Sequence, residues 1–138
     1  MQHANVQLRQ LARRYRLKRG GSPLGLLVMD TEMGDELRSV HSLSGGETFL
    51  VSLALALGLA SMASSKLKIE SLFIDEGFGT LDGSRLNDVM NVLAGLKQHG
   101  RTVGLISHVE SMKSQIGEKI TAVPNLETGT STLEVTWM

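Results

Sequence analysis

From Leu50 to Ala63 the chain is apolar at every position except Ser52, Gly58 and Ser61. Leu50, Leu53, Ala54, Leu57 and Ala60 recur at helical spacing, and Val51, Leu55 and Leu59 fill the other flank. A helix apolar nearly all round is buried on most sides, so the fold has to wrap around this one. Burial in a bilayer would need about 20 apolar residues, and the run has 14. The N-terminus has scattered arginines without the hydrophobic core of a signal sequence. The expectation is a soluble, cytoplasmic chain with no membrane segment.

With 138 residues and 41% hydrophobic residues, the chain amounts to one domain, or a piece of a larger one, able to bury a real core. It contains no cysteine, which excludes a disulfide scaffold, a thiolate metal site and a cysteine nucleophile. Lys+Arg and Asp+Glu are both 14, so bulk charge does not make it a generic polyanion binder. That balance hides an asymmetry. Arg9, Arg13, Arg14, Arg16, Lys18 and Arg19 place six bases and no acid in residues 1–19, ahead of an acidic body. The patch reads either as solvated charge at a helix end or as a surface for phosphate, nucleic acid included.

Residues 2–14 read as a helix, Tyr15 to Lys18 as a strand, and Gly20-Gly21-Ser22-Pro23 as a turn. Leu24 to Met29 and Leu37 to His41 read as further strands, completing a short antiparallel region. The long apolar helix follows, and residues 64–68 end it. Ile69 to Asp75 reads as a central, buried strand of a parallel sheet. Ser84 to Gln98 reads as a helix, Arg101 to Ile106 as a strand and Val109 to Ile116 as a short helix. Glu118 to Val123 and Thr132 to Trp137 complete the set as strands. The alternation from residue 69 onward implies an α/β fold with a mostly parallel sheet flanked by helices.

Four short segments carry chemistry. Leu43-Ser44-Gly45-Gly46-Glu47 opens the long helix. Its glycines permit close backbone approach, and its first-turn amides form an anion site; equally, Ser44 and Glu47 have the spacing of a capping box. Asp75 and Glu76 end an apolar strand, where α/β proteins place ligands. Adjacent residues face opposite ways, so one carboxylate suits a divalent cation such as Mg²⁺ and the other a water. Gly77-Phe78-Gly79-Thr80-Leu81-Asp82-Gly83 is a shaped loop whose Asp82 either caps the next helix or serves a ligand. His108 follows another apolar strand and reads as a phosphate contact or a plain loop residue.

Taken in this order, the four segments resemble the C-terminal half of an ABC-type ATPase head. Ser44–Glu47 resembles the signature motif, Phe73–Glu76 the Walker B strand, Gly79–Asp82 the D-loop, and His108 the switch histidine. Glu47 and Gly77 depart from ABC transporters, which usually have Gln and Pro there. The run Asp75-Glu76-Gly77-Phe78-Gly79-Thr80-Leu81-Asp82 resembles the Rad50/SbcC family rather than SMC proteins. No GxxxxGK[ST] occurs in the chain.

The resemblance implies that residues 1–14 end a long coiled-coil helix and that residues 15–138 form the C-terminal ATPase lobe. The P-loop would come from the N-terminal lobe of the same protein, this chain being a fragment of it and inactive alone. It implies ATP and Mg²⁺ as cofactors, sandwiched between two heads. Ser44, Gly45, Gly46, Glu47 and Asp82 would then serve nucleotide across the interface, with Asp75 on Mg²⁺, Glu76 as the base for water and His108 on the γ-phosphate. The implied partners are a second head, an SbcD/Mre11-type nuclease and double-stranded DNA, in a nucleoid-associated setting. Arg13, Arg14, Arg16, Lys18 and Arg19 are the candidate contacts for DNA or partner. The alternatives are an SMC-, RecN- or RecF-like lobe and a non-catalytic interaction fragment.

Overall fold

The computed structural model describes residues 1–23, 25–63 and 70–137. Residues 64–68, read above as a helix terminator, lie outside the described residues, as do Leu24 and Ile69 at the expected starts of two strands. The chain divides into two compact units, Met1–Ile106 and Ser107–Met138, each taken by itself.

The first unit is organised by two helices. α1 (Gln2–Leu11) buries Ala4, Leu8 and Leu11, one stripe at helical spacing. It ends three residues before the expected limit, at Ala12, which takes up extended backbone. α2 (Gly45–Ala63) buries Leu50, Val51, Leu53, Ala54, Leu57, Gly58 and Ala60 behind a buried Gly46. At 19 residues it is longer than the apolar run. By length and composition alone it is long enough for a membrane span, as the 14-residue run was not, but 44% of its apolar window is buried within the fold, as in a core helix.

α1 and α2 cross where Gly58 meets Ala4. A Cβ on Gly58 would lie 2.6 Å from the Ala4 nitrogen and 2.7 Å from its Cα. These are backbone atoms, which cannot swing away, so only the absence of a side chain lets the helices approach this closely. Gly58→Ala should therefore destabilise the chain by about 1–3 kcal/mol, the usual cost of overpacking. Gly95→Ala, at a helical position where an added Cβ meets nothing within 4 Å, is the control that should be harmless. Urea unfolding of both variants checks this, and equal midpoints would refute it.

Three antiparallel strands, β1 (Tyr15–Arg19), β2 (Leu26–Asp30) and β3 (Glu36–Ser39), form a sheet in that order. Tyr15 pairs with Asp30, Leu17 with Val28, and Val28 with Arg38. The period of two therefore puts buried Tyr15, Leu17, Val28 and Asp30 on one face, beside Arg38. Asn5 of α1 meets the edge of β1. Its amide donates to the Leu17 carbonyl at 3.0 Å and its carbonyl accepts the Leu17 N–H at 2.7 Å, replacing a neighbouring strand.

Asp30 is the one buried charged residue among those described. Arg14 grips it with two bonds, Nε to Oδ1 at 2.8 Å and Nη2 to Oδ2 at 2.7 Å. Arg38 adds a bond at 3.2 Å and the Glu32 N–H another at 3.2 Å. The hydrogen bonds from Arg14, opposed by burial, hold the Asp30 carboxyl below its ordinary value.

β4 (Ser71–Asp75), α3 (Gly83–Gln98) and β5 (Thr102–Ile106) make a βαβ unit with parallel strands. α3 buries Leu86, Val89 and Leu93, one stripe at helical spacing. Among the described residues the parallel pairing is confined to β4 and β5. The mostly parallel sheet thus gives way to a mixture of parallel and antiparallel pieces. Nor is β4 a buried central strand: Ser71, Phe73 and Asp75 alternate as exposed positions, with Phe73 72% exposed. The Phe73 ring lies over Gly104, its register partner, at 2.4 Å from where a Cβ would sit.

The second unit contains α4 (Glu110–Lys113) and a hairpin of β6 (Lys119–Asn125) and β7 (Thr130–Thr136). The strand after α4 pairs antiparallel with its successor rather than extending the parallel sheet. The Asn125 side chain accepts the Glu127 and Thr128 N–H groups, and Gly129 supplies the positive φ that closes the turn.

Candidate functional site

The first turn of α2 starts from a reciprocal capping box. The Ser44 N–H donates to Glu47 Oε2 at 2.9 Å, and the Glu47 N–H donates to Ser44 Oγ at 3.3 Å. Glu47 has a further donor: the Tyr15 hydroxyl reaches its Oε1 at 2.6 Å. Burial works to raise the Glu47 carboxyl, but the bonds from Tyr15 and Ser44 outweigh it and hold the group below its ordinary value. Burial, and then the bond to Glu47, push the Tyr15 hydroxyl up to about 12. The cap therefore exists, and it leaves the Ser44 side chain at the surface. Gly45 and Gly46 follow as the first helical residues, whose N–H groups have no intrahelical acceptor.

The two glycines differ. Gly45 is exposed, whereas Gly46 is buried, and a Cβ on it would lie 2.7 Å from the Thr80 carbonyl oxygen. The room expected for a ligand at Gly46 is taken by the chain's own loop. That contact joins the first turn of α2 to Phe78–Thr80, a single 3₁₀ turn following β4. A second contact does the same. The Phe49 ring fills the space beside Gly77, 2.3 Å from where a Cβ would stand, and packs edge-on against Phe78 at 5.1 Å between centroids. Residues 44–49 and 75–82 thus form one surface.

On that surface Asp75 ends β4 as an exposed carboxylate. Glu76 follows in a left-handed conformation, φ 56°, and Gly77 continues it at 94°. A non-glycine residue in this region is strained by about 1 kcal/mol. The Glu76 N–H donates to the Ile106 carbonyl at 2.9 Å, which ties the turn to the end of β5. Asp82 caps α3, accepting the Arg85 N–H at 2.9 Å, and stands 3.5 Å from the Arg85 Nε. His108 is exposed in the second unit, just after β5. Among the described residues no three His, Cys, Asp or Glu groups converge as a metal site. A cation on Asp75 would take most of its oxygens from water and ligand, as Mg²⁺ commonly does.

The basic patch also divides. Arg14 is committed to Asp30 and lies over the Tyr15 ring at 5.4 Å, so its guanidinium is a structural group rather than an open phosphate contact. Arg16 and Lys18, on one face of β1, line a shallow groove together with Arg9, Gln2 and Asn5 of α1. Arg9 belongs to the basic run read from the sequence, though not to the five candidate contacts drawn from it; the helical register that sets it one turn after Asn5 brings it into the groove. Arg13 and Arg19 are exposed and lie outside this groove.

Residues 12–95 match the family described as SbcC/RAD50-like, Walker B motif. The SbcC subunit of the SbcCD nuclease from Pseudomonas aeruginosa is 67% identical over 135 residues, covering 98% of this chain and 11% of that protein. Its counterpart of the same name from Rhodobacter capsulatus is 49% identical over 135 residues, with the same two coverages. The chain therefore spans about a ninth of the length of these curated relatives. Among solved structures, an SMC head bound to the C-winged helix domain of ScpA superposes with a TM-score of 0.73 at 17% identity, over 99% of this chain and 42% of that one. The SMC head domain from Thermotoga maritima gives 0.66 at 19%, over 99% and 47%. At such identities the likeness is one of fold.

Proposed function

Because the chain belongs to the SbcC/RAD50-like family, we propose that it is the C-terminal lobe of an ATPase head, completed by a segment that carries the phosphate-cradling loop. The observation that carries this reading is the surface on which the first turn of α2 and the Asp75–Asp82 loop are packed together through Gly46, Thr80, Phe49 and Gly77. It gathers an exposed serine, helix N-terminal amides and two strand-end carboxylates, and no GxxxxGK[ST] motif occurs in the sequence to cradle a triphosphate beside them. The exposed Phe73 beside it is consistent with a strand that another segment covers.

These residues fit ATP and Mg²⁺ in kind. Ser44 and the Gly45 amide would meet phosphate at the positive end of α2. Asp75 would hold the metal, which neutralises charge on the transferring phosphoryl group when bound. Glu76 would orient a water and take its proton, and Asp82 would act across the interface while capping α3. His108 would contact the terminal phosphate. Gly46 contributes by letting α2 sit against Thr80.

In this reading ATP joins two heads and hydrolysis releases them, a population shift driven by the nucleotide. The output is control of a DNA-end nuclease of the SbcD/Mre11 type in a cytoplasmic, nucleoid-associated complex. α1 would be the last turns of a returning coiled-coil helix. The groove lined by Arg9, Arg16 and Lys18 is the part of the basic patch best placed to meet DNA phosphate or the nuclease. An SMC-like role has a similar fold behind it, but the Asp75–Asp82 sequence and the relatives at 67% and 49% identity favour the SbcC branch.

Ser44→Arg tests the surface. The Ser44 cap is worth about 1 kcal/mol, too little to unfold the lobe when lost. In the full-length protein the variant should bind ATP and fail to dimerise through its heads, weakening association by about 100-fold or more. Sedimentation with and without ATP reads this. Wild-type dimerisation would overturn the reading.

A further inference from the structure

We propose that Tyr15 is a positioning residue for the signature turn: its hydroxyl fixes Glu47, and through Glu47 the backbone of Ser44, to the three-stranded sheet. The inference rests on the reading of Ser44 given above. A capping box needs one carboxylate oxygen, and here Oε2 of Glu47 serves it by accepting the Ser44 N–H. The other oxygen accepts a hydrogen bond from the hydroxyl of a residue 32 positions earlier in the chain. Tyr15 is 2% exposed, so its ring is packed and only its hydroxyl has polar work.

Tyr15 is itself firmly held. Its N–H donates to the Ala12 carbonyl at 3.1 Å, and it lies in register with Asp30. Asp30 is gripped by Arg14, the residue before Tyr15, and by Arg38 of β3. A continuous line of bonds thus runs from the end of α1, through the ion cluster and Tyr15, to Glu47 and Ser44. A displacement of β1 relative to α2 would lengthen the Tyr15–Glu47 bond and loosen the turn that presents Ser44. The charged groups bearing on this bond are Arg14 and Asp30 from the sheet and Arg85 from α3.

The experiment uses the full-length protein, with Tyr15→Phe, Glu47→Gln and the double variant. Losing a hydrogen bond to a charged group should weaken ATP-dependent head association about tenfold. The KM for ATP should change more than kcat, because ordering of the turn is lost rather than a reacting group. Tyr15→Phe also strips Glu47 of a donor, so the acid limb of the association profile should move to higher pH. That movement should vanish in the double variant, which lacks the carboxylate, and the two substitutions should be less than additive. A purely structural tyrosine would lower the melting temperature and leave the acid limb in place.

Wild-type ATP dependence in Tyr15→Phe, or an unmoved acid limb, would overturn the inference. If Tyr15→Phe does not fold, Glu47→Gln decides alone: it should reproduce the tenfold loss, and wild-type association would overturn the inference. Ser44→Arg separates the two ideas. Should it fail to block dimerisation, the reading of the surface falls. Should it block dimerisation while Tyr15→Phe behaves as wild type, only the role of Tyr15 falls.

Discussion

Replacing Glu76 by glutamine in the full-length protein is expected to preserve ATP binding and head association and to cut turnover by about 10²- to 10⁴-fold, the usual worth of a positioned general base. Glutamine keeps the size of the side chain and its acceptor oxygen but cannot take a proton. The site is set for such a role by backbone geometry. β4 delivers Asp75 and Glu76 to its end, the left-handed turn at Glu76 and Gly77 redirects the chain, and the bond from the Glu76 N–H to the Ile106 carbonyl fixes that turn. Strain of this kind persists only where the surroundings enforce it, and the Phe49 ring beside Gly77 is part of that enforcement.

The measurement is steady-state ATP hydrolysis beside nucleotide-dependent sedimentation. Turnover within a factor of a few of wild type would remove Glu76 from the chemistry. Loss of binding together with turnover would make it a ligand-holding group instead. Asp75→Asn should behave differently, losing Mg²⁺-dependent binding along with turnover, because a cation ligand acts before the chemical step.

Much of this surface was legible in the sequence because the relevant physics is local. Ser44 and Glu47 stand three apart and form the capping box that spacing predicts. Asp82 caps α3 one residue ahead of its first helical position. The alternation of strand and helix around Asp75 and Ile106 placed both at strand ends. What could not be read depends on contacts between distant residues. Arg14 looked like one more base in a run of bases, yet Asp30, 16 residues on, claims it. Gly46 looked like an opening for a ligand, yet Thr80 occupies the space. The bulky residues of β4 promised a buried strand, but composition says only that a strand needs cover, and Phe73 has little of it from this chain. Tyr15 carried no signal at all, because nothing in its neighbourhood announces a partner on α2.

Asp30→Asn, at the buried charged residue among those described, is expected to lower the melting temperature by on the order of 10 °C near neutral pH. Asparagine fits the same space but withdraws the charge that three of the four bonds at Asp30 depend on, those from Arg14 and Arg38. It also turns an NH₂ toward one of these cations. Arg14 then keeps only the exposed Glu32 carboxylate, 3.7 Å away, as a counter-ion, and a buried pair broken on one side is costlier than a pair never made.

The pH dependence separates this from mere loss of packing. The fold holds the Asp30 carboxyl below its ordinary value of 3.8, so in acid the unfolded chain takes up a proton that the folded chain still refuses. Stability is therefore fully present above that value and drains away as pH falls through the lower, folded one. Glu47, held below its ordinary 4.5, adds a contribution of the same sign. The gap between wild type and Asp30→Asn should thus be widest near neutrality and narrow below about pH 4, with the variant showing the shallower acid slope. Thermal unfolding of the two chains from pH 7 down to pH 3 reads this directly. A gap that stayed constant across that range would mean the Asp30 charge contributes nothing, and that the ion cluster holding β1 to β2 and β3 works by shape alone.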